Sequence, residues 1–203
     1  MIDDGVIKYD RSNFTHTGPL DKSLWGDLEL WREKLFELNL IGEYPIEKVG
    51  FGNISKIVEW QDQAHFIITG TQTGKYSNLT GEHYTLVEGY DLAQMKLKQR
   101  GPLEASSEAL THAAVYEGNR NLNAVFHIHN TIIWEEMIKH QYDSTPKDVP
   151  YGTIQMANCV GEIIKSKNAG LIVMKGHQDG VIAYAREMDE CGQLILDLAN
   201  KFL

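Results

Sequence analysis

Leu24, Leu28, Trp31, Leu35 and Leu38 recur at alternating steps of four and three, the spacing of one helical face. The stretch LDKSLWGDLELWREKLFELNL therefore predicts a helix that packs along that face. After the Gly42 and Pro45 breakers the apolar period shortens. VGFGNISKIVEW, HFIITGTQTG and HYTLVEGY are rich in β-branched and aromatic residues and are separated by Gly, Asn and Thr turns, so they predict consecutive strands. EASSEALTHAAVYEGN sets two serines ahead of an Ala-rich run that stops at Gly118-Asn119, which is helix start and stop chemistry. NAVFHIHN reads as a strand, TIIWEEMIKHQ and TIQMANCVGEIIKSK as helices on either side of the loop YDSTPKDVPYGT. GLIVMKGH and GVIAYA form a strand pair around His177, and REMDECGQLILDLANKFL closes the chain as a helix. Intermixed strands and helices predict an α/β domain with helices covering a sheet. Several connections are too short for a crossover, so part of the sheet must be antiparallel.

A chain of 203 residues with 42% hydrophobic and 23% charged residues suits one globular domain, residues 1–203, with residues 1–20 as an extended N-terminal arm. The formal net charge of −9, with no basic run longer than a pair, argues against nucleic acid or an anionic membrane surface as partner. A small-molecule partner fits better. Cys159 and Cys191 have no CxxC spacing and read as buried free thiols. The start MIDDGVIKYDRSNF is acidic and polar where a signal peptide is basic and then apolar. No apolar run approaches the roughly 18 residues of a membrane span, so the expectation is a cytoplasmic protein.

The chemistry begins in the NAVFHIHN strand. Successive strand side chains point to opposite faces, so Ala124, Phe126 and Ile128 face a core while Val125, His127 and His129 face the other way. His177, in MKGHQDG directly after an apolar strand, offers a third imidazole at a strand end that opens towards a surface. Three neutral imidazoles with an open fourth position suit a catalytic zinc-type site. Glu108, in the first turn of the SSEALTH helix, enters from the element that precedes the histidine strand. Its carboxylate can bind a cation or stand beside it as a base, although a helix N-terminus favours an acidic residue with no function at all. Asn53 in GFGNIS, Thr71, Thr73 and Gly74 in TGTQTGK, and Ser106 with Ser107 at a helix start supply hydroxyls and backbone N–H groups of the kind that bind a phosphate dianion without a basic patch. TGTQTGK is not a P-loop, because it lacks the GxxxxGK[ST] order.

The GNIS turn at 52–55, the ITGTQTGK loop, ASSE at 105–108, the HIH strand, PYGT at 150–153 and the GHQDG turn follow one another in an order and spacing that resembles the class II aldolase and adducin family. The likeness runs from about residue 24 to the end. It implies a three-layer α/β/α sandwich with a central mixed, largely antiparallel sheet, a homotetramer with active sites at subunit interfaces, and Zn²⁺ or another divalent metal such as Mn²⁺, Co²⁺ or Fe²⁺. His127, His129 and His177 match the family's metal-ligand histidines, and Glu108 the acidic residue that serves as fourth ligand or catalytic base. Asn53, Thr73, Gly74, Ser106 and Ser107 match its phosphate-binding positions, in a loop two residues longer than the commoner pattern. The implied reaction is aldolase-type lysis of a small phosphorylated sugar through a metal-stabilised enediolate. Epimerisation or dehydration of a sugar phosphate at the same site is the alternative, and a non-catalytic adducin-like interaction domain a further one. The general acid is the open position: the closing KFL segment carries no tyrosine, which leaves Tyr142 and Tyr151, with Tyr142 as the catalytic candidate.

Overall fold

The computed structural model describes residues 6–203. Among them, five helices surround a nine-stranded, mostly antiparallel sheet. The helices are α1 (Lys22–Glu37), α2 (Ala109–Gly118), α3 (Thr131–Lys139), α4 (Ile154–Ile164) and α5 (Met188–Phe202). The strands are β1 (Phe14–His16), β4 (Asn53–Trp60), β5 (Gln63–Thr69), β6 (Tyr84–Asp91), β7 (Lys96–Gly101), β8 (Ala124–His129), β9 (Ser144–Thr145), β10 (Ala169–Met174) and β11 (Gly180–Ala185), in the order β1-β7-β6-β5-β4-β8-β11-β10-β9. A separate two-stranded ribbon pairs β2 (Gly42–Glu43) with β3 (Gly50–Phe51). Parallel pairing is confined to the two short edge strands, β1 on β7 and β9 on β10.

Alternation along the central strands splits the apolar residues into two cores. Ala124, Phe126 and Ile128 of β8 join a cluster with Leu24, Leu28, Trp31 and Leu35 of α1, Ile133 and Met137 of α3, and Ile195 and Leu198 of α5. Val125 of the same strand joins Ala109, Ala113 and Val115 of α2 and Val160 and Ile164 of α4. The helix periodicity seen in the sequence covers the first face, where α1, α3 and α5 each bury one stripe, whereas α2 is buried on all sides from Ala109 to Tyr116.

Three departures from the sequence reading have local causes. VGFGNISKIVEW is not one strand: Gly52, at φ +74°, turns the backbone between β3 and β4. Strand β7 carries no apolar alternation, since an inward position is held by Gln99, fully buried yet polar, whose Oε1 accepts from Ala105 N at 2.8 Å. The 104–119 helix begins only at Ala109, because Gly70 and Ala105 form a β-bridge that draws residues 104–106 along the end of β5.

Of the expected N-terminal arm, residues 1–5 lie outside the described residues. Tyr9 is buried, Arg11 makes a bidentate pair with Glu104, and β1 lies along β7.

Candidate metal centre

Strand register builds the site before any side chain is considered. β8 lies between β4 and β11, with Asn53 opposite His127, and Gly180 opposite His129. His177 arrives in the turn between β10 and β11, closed by His177 N to Met174 O (3.0 Å) and Gly180 N to His177 O (3.1 Å). Position 180 is close-packed against the site: a Cβ there would stand 3.1 Å from His127 Cε1 and 3.2 Å from His177 Cγ, so those rings would have to shift.

The three imidazoles converge. Their ligand atoms lie within 4.8 Å of one another, and all three side chains are buried. His127 Nε2 and His129 Nε2 are 2.9 Å apart. The far nitrogens face oxygens: His127 Nδ1 is 3.1 Å from Val181 O and His129 Nδ1 is 2.9 Å from Tyr44 Oη. Such partners fix a ring's orientation and direct its Nε2 lone pair inward. Burial, with His177 and His127 close by, pushes the His129 pKa well below its ordinary value, so this imidazole stays neutral, the form a metal requires.

Glu108 occupies the N-cap position of α2 but makes no side-chain capping bond. Its carboxylate is instead buried, with Oε1 at 3.3 Å from His177 Nδ1, an ion-pair distance. Burial alone pushes a carboxyl up. Here His127, then His177 and His112, outweigh it and hold Glu108 at about 2, so the group is charged. Neither oxygen accepts a well-formed hydrogen bond, and buried Asn53 Oδ1 has no donor either. Buried acceptors without donors are costly. Grouped beside three imidazoles, they form an oxygen and nitrogen donor set that suits a divalent cation, so the residues present fit a metal ion.

A small cavity of about 30 Å³, room for an ion or a water molecule, opens among these groups. Asn53, Thr73, Gly74, Ser106, Ser107, Glu108, His127, His129 and His177 all line it, joined by Gly50, Phe51, Gly52, Gly70, Thr71, Gln72 and Tyr151. Tyr142 does not join them. It follows α3 on the opposite face of the sheet, packs against the α1–α5 core, and its hydroxyl lies 3.4 Å from Lys201 Nζ. Tyr151 is the tyrosine among the described lining residues, its ring 4.6 Å from that of His177, with Lys8 Nζ 3.8 Å above it. Sequence reasoning missed Tyr44 and Phe51, whose rings lie 6.2 and 5.7 Å from His129. Both sit in short irregular segments where no period marks an inward residue.

The family model described as Class II Aldolase and Adducin N-terminal domain matches residues 38–201. The chain belongs to the class II aldolase and adducin family. No curated protein matches it by sequence. Among solved structures, this family member is similar to YgbL from Escherichia coli (TM-score 0.65, 18% identity, covering 87% of this chain and 85% of the other). It is also similar to an L-fuculose 1-phosphate aldolase (TM-score 0.62, 14% identity, 90% and 84% covered), and to the L-fuculose-1-phosphate aldolase of Thermus thermophilus (0.59, 20%, 88% and 91%). At such identities the likeness concerns the fold. The family's large antiparallel sheet carries the buried histidine group, which could hold a divalent metal. No helix among the described residues is long and apolar enough to cross a membrane.

Proposed function

We propose that the protein is a metal-dependent lyase of the aldolase type, working as a single cytoplasmic three-layer α/β/α domain on a small phosphorylated sugar. The observation that carries this reading is Glu108: a carboxylate buried beside three buried imidazoles, spared from helix capping and facing the cavity. A structural carboxylate gains nothing from that position. His127, His129 and His177, with Glu108 as fourth ligand or neighbouring base, would hold Zn²⁺ or another divalent ion. When bound, that ion supplies Lewis-acid stabilisation of negative charge developing on a substrate oxygen.

The chain's own residues then divide the work. Asn53, Thr73, Gly74, Ser106 and Ser107 bind and orient the phosphate end, Ser106 Oγ already accepting from Glu108 N at 3.4 Å. Glu108 takes and returns the substrate proton at its carboxylate oxygen. Tyr151, which lines the cavity, would deliver the proton to the leaving fragment in place of Tyr142. A homotetramer with sites at subunit interfaces completes the proposal. Exposed Ile46 lies in the loop before β3 and exposed Ile132 in the first turn of α3, apolar side chains that a neighbouring subunit would cover.

Tyr151 is the single phenol among the described lining residues, and this favours a second reading. In epimerisation or dehydration of a sugar phosphate the same carboxylate would exchange the proton at carbon, and one acid, Tyr151, would serve the departing hydroxyl of a dehydration. YgbL, described as a putative aldolase/epimerase/decarboxylase, is consistent with either reading.

Incubation of the Zn²⁺-loaded protein with a panel of sugar phosphates, followed by NMR, separates the readings. Cleavage to an aldehyde and a shorter ketose phosphate supports the lyase, whereas an epimer or loss of water with an intact chain supports the second. Silence across the panel would leave an adducin-like interaction domain and overturn both.

A further inference from the structure

The pocket wall at residues 71–74 belongs to no strand or helix, and no lysine or arginine is among the described residues lining the cavity. An anion bound there would meet only N–H and O–H dipoles unless charge arrived from behind the loop. Arg32 stands behind it. This residue of α1 is the largest of the fully buried side chains, only 1% exposed. Its Nη2 donates to Thr73 O at 3.3 Å and Gly74 O at 3.2 Å, and its Nη1 to Ser77 O at 2.8 Å.

A buried guanidinium is costly unless its donors and charge are matched. Glu29, one turn earlier on α1, supplies the counter-charge and holds the far end of the same loop. Its Oε1 accepts from Leu79 N at 2.7 Å and its Oε2 from the Tyr84 hydroxyl. The loop from Thr73 to Leu79 is thus pinned from below by one helix.

The pinning has a direction. A trans peptide puts each carbonyl and the following N–H on opposite sides, so turning the Thr73 and Gly74 carbonyls to Arg32 turns the Gly74 and Lys75 N–H groups away from it. Neither N–H has a protein acceptor among the described residues. Gly74 is held tightly on the other side as well: a Cβ there would fall 1.9 Å from Gly42 O. A Cβ on Gly50, which lines the cavity, would stand 3.3 Å from Gly74 N.

We infer that Arg32 is the positioning residue of an anion subsite: it holds the Thr73 and Gly74 carbonyls so that the amides beyond them present donors to a phosphate-class dianion. Arg32 touches no substrate, and its role is exerted through the loop. The inference rests on the phosphorylated-substrate reading above.

Thermal unfolding of the full-length protein with inorganic phosphate as the probe tests it, with Zn²⁺ added in a separate arm. Phosphate raises the Tm of the wild type, and Arg32→Lys and Arg32→Met weaken apparent phosphate affinity by about tenfold or more, the scale of a lost charge-assisted bond. The Zn²⁺-induced shift persists in both variants. Arg32→Lys with unchanged phosphate affinity overturns the inference, as does loss of the Zn²⁺-induced shift together with phosphate affinity in the Arg32 variants, which would indicate a general loosening of the site. A wild type indifferent to phosphate overturns the subsite and the phosphorylated substrate together, whereas a responsive wild type with equally responsive Arg32 variants overturns the brace alone.

Discussion

Glu108 and His112 sit one turn apart on α2 and show how burial sorts ionisable groups into charged and neutral. Glu108→Gln keeps the shape of the site and removes the base, so turnover falls by about 10²–10⁴-fold, while metal content by elemental analysis stays near that of the wild type. His177→Ala removes a ligand, and metal content falls with activity. His112 is fully buried, its Nδ1 2.7 Å from Ser55 Oγ, which in turn lies 2.7 Å from the Tyr116 hydroxyl. Burial first, and nearby His127 second, push its pKa down to about 3, against the pull of Glu108. Between about pH 6.5 and 3 the unfolded chain binds a proton that the folded chain refuses. The contribution of His112 to stability is therefore full above its unfolded pKa and is lost progressively as pH falls. Denaturant titrations at pH 7 and pH 5 would show the metal-free wild type losing about 2 kcal/mol more than His112→Asn between the two. Equal losses would mean that His112 takes up its proton while folded.

At the scale of elements, the site depends on how closely neighbours can approach. Gly180→Ala puts a methyl group against the His127 and His177 rings. Metal affinity falls by about tenfold, as for other changes that misalign ligands, with little effect on the unfolding of the metal-free protein. Gly192 on α5 makes the opposite case: a Cβ there would lie 2.3 Å from the Trp31 ring of α1. Gly192→Ala overpacks that contact and costs about 1–3 kcal/mol, readable in the Tm of the metal-free protein. The same scale decides what the sequence could tell. β8 was legible because Ala124, Phe126 and Ile128 alternate with Val125, His127 and His129, and the two cores divide along that alternation. β7 was not, because Gln99 takes an inward position and bonds a loop amide rather than packing. Tyr142 and Tyr151 share one loop in the sequence, yet lie on opposite faces of the sheet. No period runs through that loop to reveal which of them faces the histidines, and the contacts of Arg32 with the 73–77 loop, 41 to 45 residues away in sequence, had no local signal either.

For the whole molecule, the open question is whether one chain makes a complete site. Tyr151 is held by the N-terminal segment: Val6 N donates to its hydroxyl at 3.3 Å and Lys8 Nζ to its carbonyl. Ile46 is 87% exposed and Ile132 53%. Large apolar side chains left open to solvent are what a second subunit would cover. If the proposed tetramer forms, light scattering gives four times the 23.0 kDa chain mass. Ile132→Glu then places a charge in the contact and shifts the protein to smaller species. Because the four candidate ligands lie within one chain, those species retain stoichiometric metal while turnover drops. A dissociated variant with wild-type turnover would sink the interface-site idea. Loss of metal on dissociation would instead show that the neighbour holds the histidine cluster in place.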